Sequence, residues 1–123
     1  MKKKTNPTDE KLLEIIIESI KEKKGKKIVS IDLREIENSI FDYFIICHGT
    51  STTHVSALSD NVEIKPKELL GIKPDHVEGV QNSQWVLIDF SGVVVHIFLE
   101  EQRAFYRLED LWADGKAKIY EDD

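Results

Sequence analysis

Apolar residues recur along this chain at helical spacing, then in unbroken runs, then in strict alternation, and each change of rhythm marks a new element. Leu13, Ile16, Ile17 and Ile20 form a stripe at helical spacing, predicting a first helix. Its start is expected at Asn6-Pro7 or at Thr8, both suitable caps, with Asp9 and Glu10 complementing the helix dipole in the first turn. A lysine-rich last turn and Gly25 end it. A strand is predicted at about Ile28 to Leu33, followed by a connection through Arg34–Ser39. The segment Tyr43-Phe-Ile-Ile-Cys-His48 is nearly continuous in apolar β-formers, the pattern of a central strand buried on both faces.

Gly49-Thr-Ser-Thr-Thr53 turns the chain into a second helix with a hydroxyl N-cap and a buried stripe of Val55, Leu58 and Val62. Pro66 lacks a backbone donor, so it is expected to kink or stop that helix and leave Lys67 to Leu70 as a separate last turn. Gly71 and Pro74 close the segment, and a short strand is expected near His76 to Val80. The run Trp85 to Asp114 then reads as a hairpin that feeds an acidic, aromatic helix. With Ser91-Gly92 as a two-residue turn, Phe90 faces Val93, Ile88 faces Val95 and Val86 faces Ile97, an apolar core face. The other face pairs Asp89 with Val94, Leu87 with His96 and Trp85 with Phe98. That register is conditional, because serine tolerates the positive φ of such turns poorly, but a four-residue loop would leave the same residues on each face. Glu100, Glu101 and Gln102 lead into a helix from Arg103 to Trp112. Its stripe of Phe105, Leu108 and Leu111 or Trp112 is expected mostly to pack inward, leaving Tyr106, Glu109 and Asp110 more exposed. The elements describe a single α/β (α+β mixed) domain over 1–123, a mixed sheet of about five strands packed with helices, with 1–7 and 115–123 as flexible ends.

Composition narrows the classes of function. Apolar runs of four or five residues are far short of a membrane span, and the basic N-terminus leads into no apolar signal core. One cysteine, Cys47, cannot form an internal disulfide, and its place in the central strand makes it a small core residue. These features point to the cytoplasm. Residues 1–74 carry 13 Lys and Arg against 12 Asp and Glu, whereas residues 75–123 carry 4 against 11. An acidic C-terminal half is repelled by nucleic acid and attracted to a basic protein surface, so little direct nucleic-acid binding is expected; an ordinary solubilising surface is the plainer reading.

Catalytic sets are incomplete. Ser51 and His54 sit at a helix start, where capping and packing explain them. Gly49-Thr-Ser lacks the second glycine and the lysine of a phosphate loop. The histidines and Cys47 show no paired metal-ligand spacing, so neither metal nor cofactor is expected. Asp32, Asp42 and Asp89 occur singly, without the i, i+2 carboxylate pair that two-metal nucleotidyl transfer uses. No enzyme is expected. The mixed hairpin face instead has the aromatic composition of an interface, unless a helix covers it.

The residues Asp42-Tyr-Phe-Ile-Ile-Cys-His-Gly-Thr-Ser51, His54-Val55, Gly79, Trp85-Val-Leu-Ile-Asp89, Val94-Val-His-Ile-Phe98, Arg103 and Phe105-Tyr106-x-Leu108-Glu109-x-Leu111-Trp112 resemble the ribosomal silencing factor (RsfS, or Iojap) family. The similarity covers roughly Leu12 to Asp114. It implies a nucleotidyltransferase-like fold without catalytic carboxylates. It also implies binding to the large ribosomal subunit through ribosomal protein L14, which blocks joining of the small subunit and represses translation under nutrient limitation. By resemblance, Trp85, Leu87, His96, Phe98, Arg103 and Tyr106 are contact candidates, with Glu100, Glu101 and Glu109 complementing basic residues of the partner. The chain departs from the family pattern at Ser91-Gly92 (usually Gly-Asp), at Thr53 (often basic) and at Pro66. Two other readings stay open: a nucleotide- or small-molecule-binding module with a polar pocket near Gly49 to Thr53, and an adaptor whose apolar patch makes a homodimer.

Overall fold

Six strands form one mixed sheet in the order β3-β4-β5-β2-β1-β6, one more strand than the hydrophobic pattern predicts. A computed structural model describes residues 7–111 and 115–120. The elements run α1 (Pro7–Glu22), β1 (Lys26–Asp32), β2 (Tyr43–Gly49), α2 (Thr52–Leu70), β3 (His76–Glu78), β4 (Trp85–Asp89), β5 (Val93–Leu99), α3 (Glu100–Tyr106), α4 (Leu108–Leu111) and β6 (Lys116–Ile119). Among the described residues only β2 and β5 pair in parallel; the other neighbouring pairs are antiparallel. Among the described residues no helix is long and apolar enough to cross a membrane.

Strand β2 is central, as its unbroken apolar run requires: all seven residues are buried. One sheet face packs against α1 and α2. There Leu12, Ile16, Ile17 and Ile20 of α1 and Val55, Leu58 and Val62 of α2 cover Ile45, Cys47, Val86, Ile88, Val95 and Ile97. Ile16, Ile17 and Ile20 are buried as expected, while Leu12 takes the place of Leu13, which stays partly buried at the margin. Burial pushes the Cys47 thiol up to about 12, so it stays protonated and inert.

Pro66 neither stops α2 nor separates its last turn, contrary to the expectation. The helix continues to Leu70, where Gly71 at φ 68 caps it with its N–H on the Lys67 carbonyl. Proline removes one i to i−4 bond near the helix end, and the Pro66 carbonyl is used by the Ile72 N–H at 3.2 Å. Burial of the ring fixes that turn against the core.

The hairpin adopts the predicted two-residue register, with Leu87 opposite His96 and Trp85 opposite Phe98. Ser91 accepts φ 78 at the turn, while its N–H binds Asp89 Oδ1 at 2.8 Å and its hydroxyl donates to Asp75. These local bonds offset the cost of a left-handed serine.

Two expectations near the C-terminus are corrected. The segment 115–123 was expected to be a flexible end, but Lys116–Ile119 form edge strand β6 against β1. All four residues are exposed, so the pairing rests on backbone bonds and leaves no apolar alternation to read. The helix expected from Arg103 to Trp112 begins at Glu100 and breaks at Arg107, which takes φ 50 between α3 and α4. Trp112 and the proposed cap Asn6 lie outside the described residues.

Candidate functional site

Among the described residues, the second sheet face is only partly covered. Across it run two cross-strand rows, Leu87–His96–Ile46–Val29 and Asp89–Val94–Phe44–Ile31. Leu33, Ile36 and Phe41 from the β1–β2 connection and Leu108 from α4 cover the middle. Toward β4 the cover is thinner, and Trp85 and Leu87 remain half-buried.

There the aromatic side chains form a continuous row from core to surface. The Trp85 ring packs against Phe98 and against Tyr106, each at 4.8 Å between centroids. Tyr106 meets Phe105 edge to face at 5.1 Å. Phe98 is fully buried beneath this row, whereas Tyr106 is 46% and Phe105 76% exposed. Leu111 on α4 is 75% exposed. An apolar surface of this kind is what interface cores use, and its aromatic members are the type that carry binding energy.

Two backbone features present this surface. Gly79 at φ 85 lets the chain pass against the Trp85 backbone, where an added Cβ would overlap the Trp85 carbonyl. The Leu99 N–H bonds the Gln84 carbonyl at 2.8 Å, tying the start of β4 to the root of α3. Glu100 and Glu101 then open α3, exposed and complementary to its dipole, on the same short helix that carries Phe105 and Tyr106.

Besides the buried Phe98, two further contact candidates, Arg103 and His96, turn inward. Arg103 is held on several sides: Nε donates to Glu109 Oε1 at 2.8 Å, and Nη1 donates to the Lys27 carbonyl at 2.8 Å and to His48 Nδ1 at 3.1 Å. The register shift in β1 between Lys26 and Val29, with Lys27 at φ 47, coincides with the carbonyl that Arg103 occupies. Glu109 is thus engaged within the fold, and the pair clamps α3, α4 and the sheet together. His96, only 4% exposed, accepts the Trp85 indole N–H on Nδ1 at 3.2 Å. Burial pulls its pKa down from 6.5 to about 4, leaving the imidazole neutral.

Of the nine sequence candidates, Trp85, Leu87, Glu100, Glu101 and Tyr106 present surface, while Phe98, His96, Arg103 and Glu109 hold that surface in place. Phe105 and Leu111 are expected from the sequence to pack inward, yet both face out, and among the described residues of that stripe only Leu108 is buried. The left-handed Arg107 explains this, because it rotates α4 relative to α3 and ends the helical period that joined the three positions.

Elsewhere the polar groups serve the fold. Ser51 caps α2 by accepting the His54 N–H at 3.0 Å, and His54 Nδ1 accepts the Thr50 N–H at 3.0 Å. His54 Nε2 lies 2.8 Å from the Lys23 carbonyl, so polar groups near the proposed nucleotide pocket bond one another. Asp32 is paired with Arg34 at 2.7 Å, which holds its carboxyl below the usual range. Among the described residues no group of three or more His, Cys, Asp or Glu side chains could hold a metal ion.

The sequence profile described as "Ribosomal silencing factor during starvation" matches residues 6–123. The chain is 36% identical over 108 residues to the ribosomal silencing factor RsfS of Halalkalibacterium halodurans, an alignment spanning 88% of this chain and 91% of that protein. It is 30% identical over 103 residues to mouse mitochondrial assembly of ribosomal large subunit protein 1, covering 81% of this chain and 44% of that longer protein. A crystal structure of a Chromobacterium violaceum protein superposes with a TM-score of 0.80 at 35% identity, covering 85% of each chain.

Proposed function

Because the chain belongs to the ribosomal silencing factor family, whose role lies in translation regulation or ribosome assembly, we propose that its aromatic face docks on the large ribosomal subunit through ribosomal protein L14 and sterically blocks the small subunit. The observation that carries this reading is the row Phe105–Tyr106–Trp85, exposed at Phe105 and Tyr106, half-buried at Trp85 and continuous with buried Phe98, beside a helix that opens with exposed Glu100 and Glu101. A silencing factor of this kind needs no chemistry. It needs an interface of about 800 Å² per partner, to which Leu87 and Leu111 would contribute beside the aromatic row. Glu100 and Glu101 suit a basic ribosomal protein and steer its approach, while desolvated aromatic anchors set how long the complex lasts.

Cosedimentation with isolated large subunits, followed by a subunit-joining assay, tests the proposal. Wild-type protein is expected to comigrate and to prevent joining. Trp85→Ala is expected to weaken association at least tenfold, the loss of about 1.4 kcal/mol or more typical of an aromatic anchor. Glu101→Ala, at an exposed position, is expected to weaken it no more than about threefold. Equal binding by wild type and Trp85→Ala would remove the anchor from this face. Binding without any effect on joining would remove the steric mechanism.

A further inference from the structure

His96 sits in an environment that gives an imidazole little reason to be there. Phe44 meets it edge to face at 4.8 Å, Phe98 stacks beside it at 6.4 Å, and Leu87 and Ile46 flank it in the cross-strand row. Because an indole N–H can only donate, the bond from Trp85 Nε1 requires an unprotonated Nδ1 on His96. The neutral ring therefore carries its proton on Nε2, and that buried N–H finds no acceptor among the described residues. A leucine or phenylalanine would fill the same layer without leaving a polar atom unpaired.

The one hydrogen bond that the ring makes among the described residues goes to Trp85. We propose that His96 is a positioning residue for docking: its Nδ1 fixes the orientation of the Trp85 indole, without itself touching the partner. This rests on the reading that the aromatic face docks on the large subunit. The indole is packed by Phe98 and Tyr106, both apolar ring contacts that leave sliding and tilting open. A directional bond at Nε1 removes that freedom before the partner arrives, so less ordering remains to be done on binding. The low pKa of His96 keeps the acceptor lone pair available at neutral pH.

Three proteins test the role: wild type, His96→Leu and His96→Asn, whose Oδ1 places an acceptor near the position of Nδ1. In ¹H–¹⁵N spectra, with the Trp85 indole peak assigned by Trp85→Phe, His96→Leu is expected to shift that peak upfield and speed its exchange with water. Large-subunit affinity is expected to fall about fivefold in His96→Leu while the melting temperature stays level or rises, since the unpaired Nε2–H is gone. His96→Asn is expected to recover most of the affinity and the indole shift. A merely structural histidine would lose binding only together with stability and would gain nothing from the asparagine acceptor. Wild-type affinity in a folded His96→Leu would overturn the role and leave the docking reading standing. Should His96→Leu fail to fold, long-range ¹⁵N spectra of the wild type decide, and a proton on Nδ1 overturns the proposal. Absence of large-subunit binding by the wild type would sink the docking reading, and this role with it.

Discussion

Burial of His96 as a neutral ring makes acid destabilising at a pH where ordinary carboxylates are still ionised. The unfolded chain takes up a proton on this side chain near 6.5, whereas the folded one resists until about 4. Between those values the unfolded state binds more protons, so stability falls as pH drops through the window and is fully present above it. A depression of this size is worth on the order of 2–3 kcal/mol. Denaturant unfolding at pH 7.5 and pH 4.5 is expected to show that loss in the wild type and to show it reduced by most of that amount in His96→Leu. The difference between the two proteins isolates the residue, because Asp32, with its lowered pKa, and Glu63, with its raised one, titrate in both. An identical pH dependence in the two proteins would mean that the imidazole is protonated inside the fold. The same residue shows the limit of sequence reading at this scale. A histidine alternating with valine and isoleucine in a strand reads equally well as surface contact or as core, and only its neighbours Phe44 and Trp85 decide.

Helices α3 and α4 are short, seven and four residues, and neither can stand without tertiary support. Arg103 supplies it, joining Glu109 on α4 to the Lys27 carbonyl in the irregular part of β1 and to His48 at the end of β2. Replacing Arg103 by Ala strips partners from several part-buried polar groups at once and is expected to cost roughly 2–3 kcal/mol of global stability. Arg103→Lys is expected to recover little, since a point charge cannot fill the planar fork. Chemical denaturation of the three proteins checks this, and an unchanged midpoint in Arg103→Ala would reduce the clamp to a surface pair. At this scale much of the fold was legible. The central strand, the hairpin register and the Ser51 cap follow from local rules, because apolar runs, turn chemistry and capping are local physics. The break at Arg107, the uninterrupted α2 across Pro66 and edge strand β6 were not legible. Each is decided by a distant partner: the pull of Leu108 into the sheet, the burial of the Pro66 ring, and backbone pairing with β1.

At the scale of the whole molecule, the aromatic face and most of the acidic excess come from the same stretch of sequence, and their separate effects on binding can be measured. Residues 75–123, the part that holds the aromatic face, carry 4 basic and 11 acidic residues, an acidic excess larger than the whole net charge of −6. Sequence alone located that face through Trp85, Leu87 and Tyr106. It missed Phe105 and Leu111, because a helical period extended across Arg107 assigns them to the core. Their exposure makes Phe105 the cleanest probe of docking: it is 76% exposed, its ring set edge to face on Tyr106, so Phe105→Ala is expected to change stability by less than about 0.5 kcal/mol. Charge at long range accelerates encounter and is screened within about 10 Å at 0.1 M salt, whereas desolvated apolar contacts are not. Raising salt from 50 to 300 mM is therefore expected to slow association with large subunits about tenfold and to leave dissociation nearly unchanged. Phe105→Ala is expected to do the reverse, speeding dissociation several-fold with little effect on the association rate. Surface-immobilised large subunits and a salt series read both rates in one experiment. If salt acted mainly on dissociation, the glutamates would lie inside the contact instead of at its rim. If Phe105→Ala left dissociation untouched, the contact would centre on the β4 end of the sheet, at Trp85 and Leu87, with α3 standing outside it.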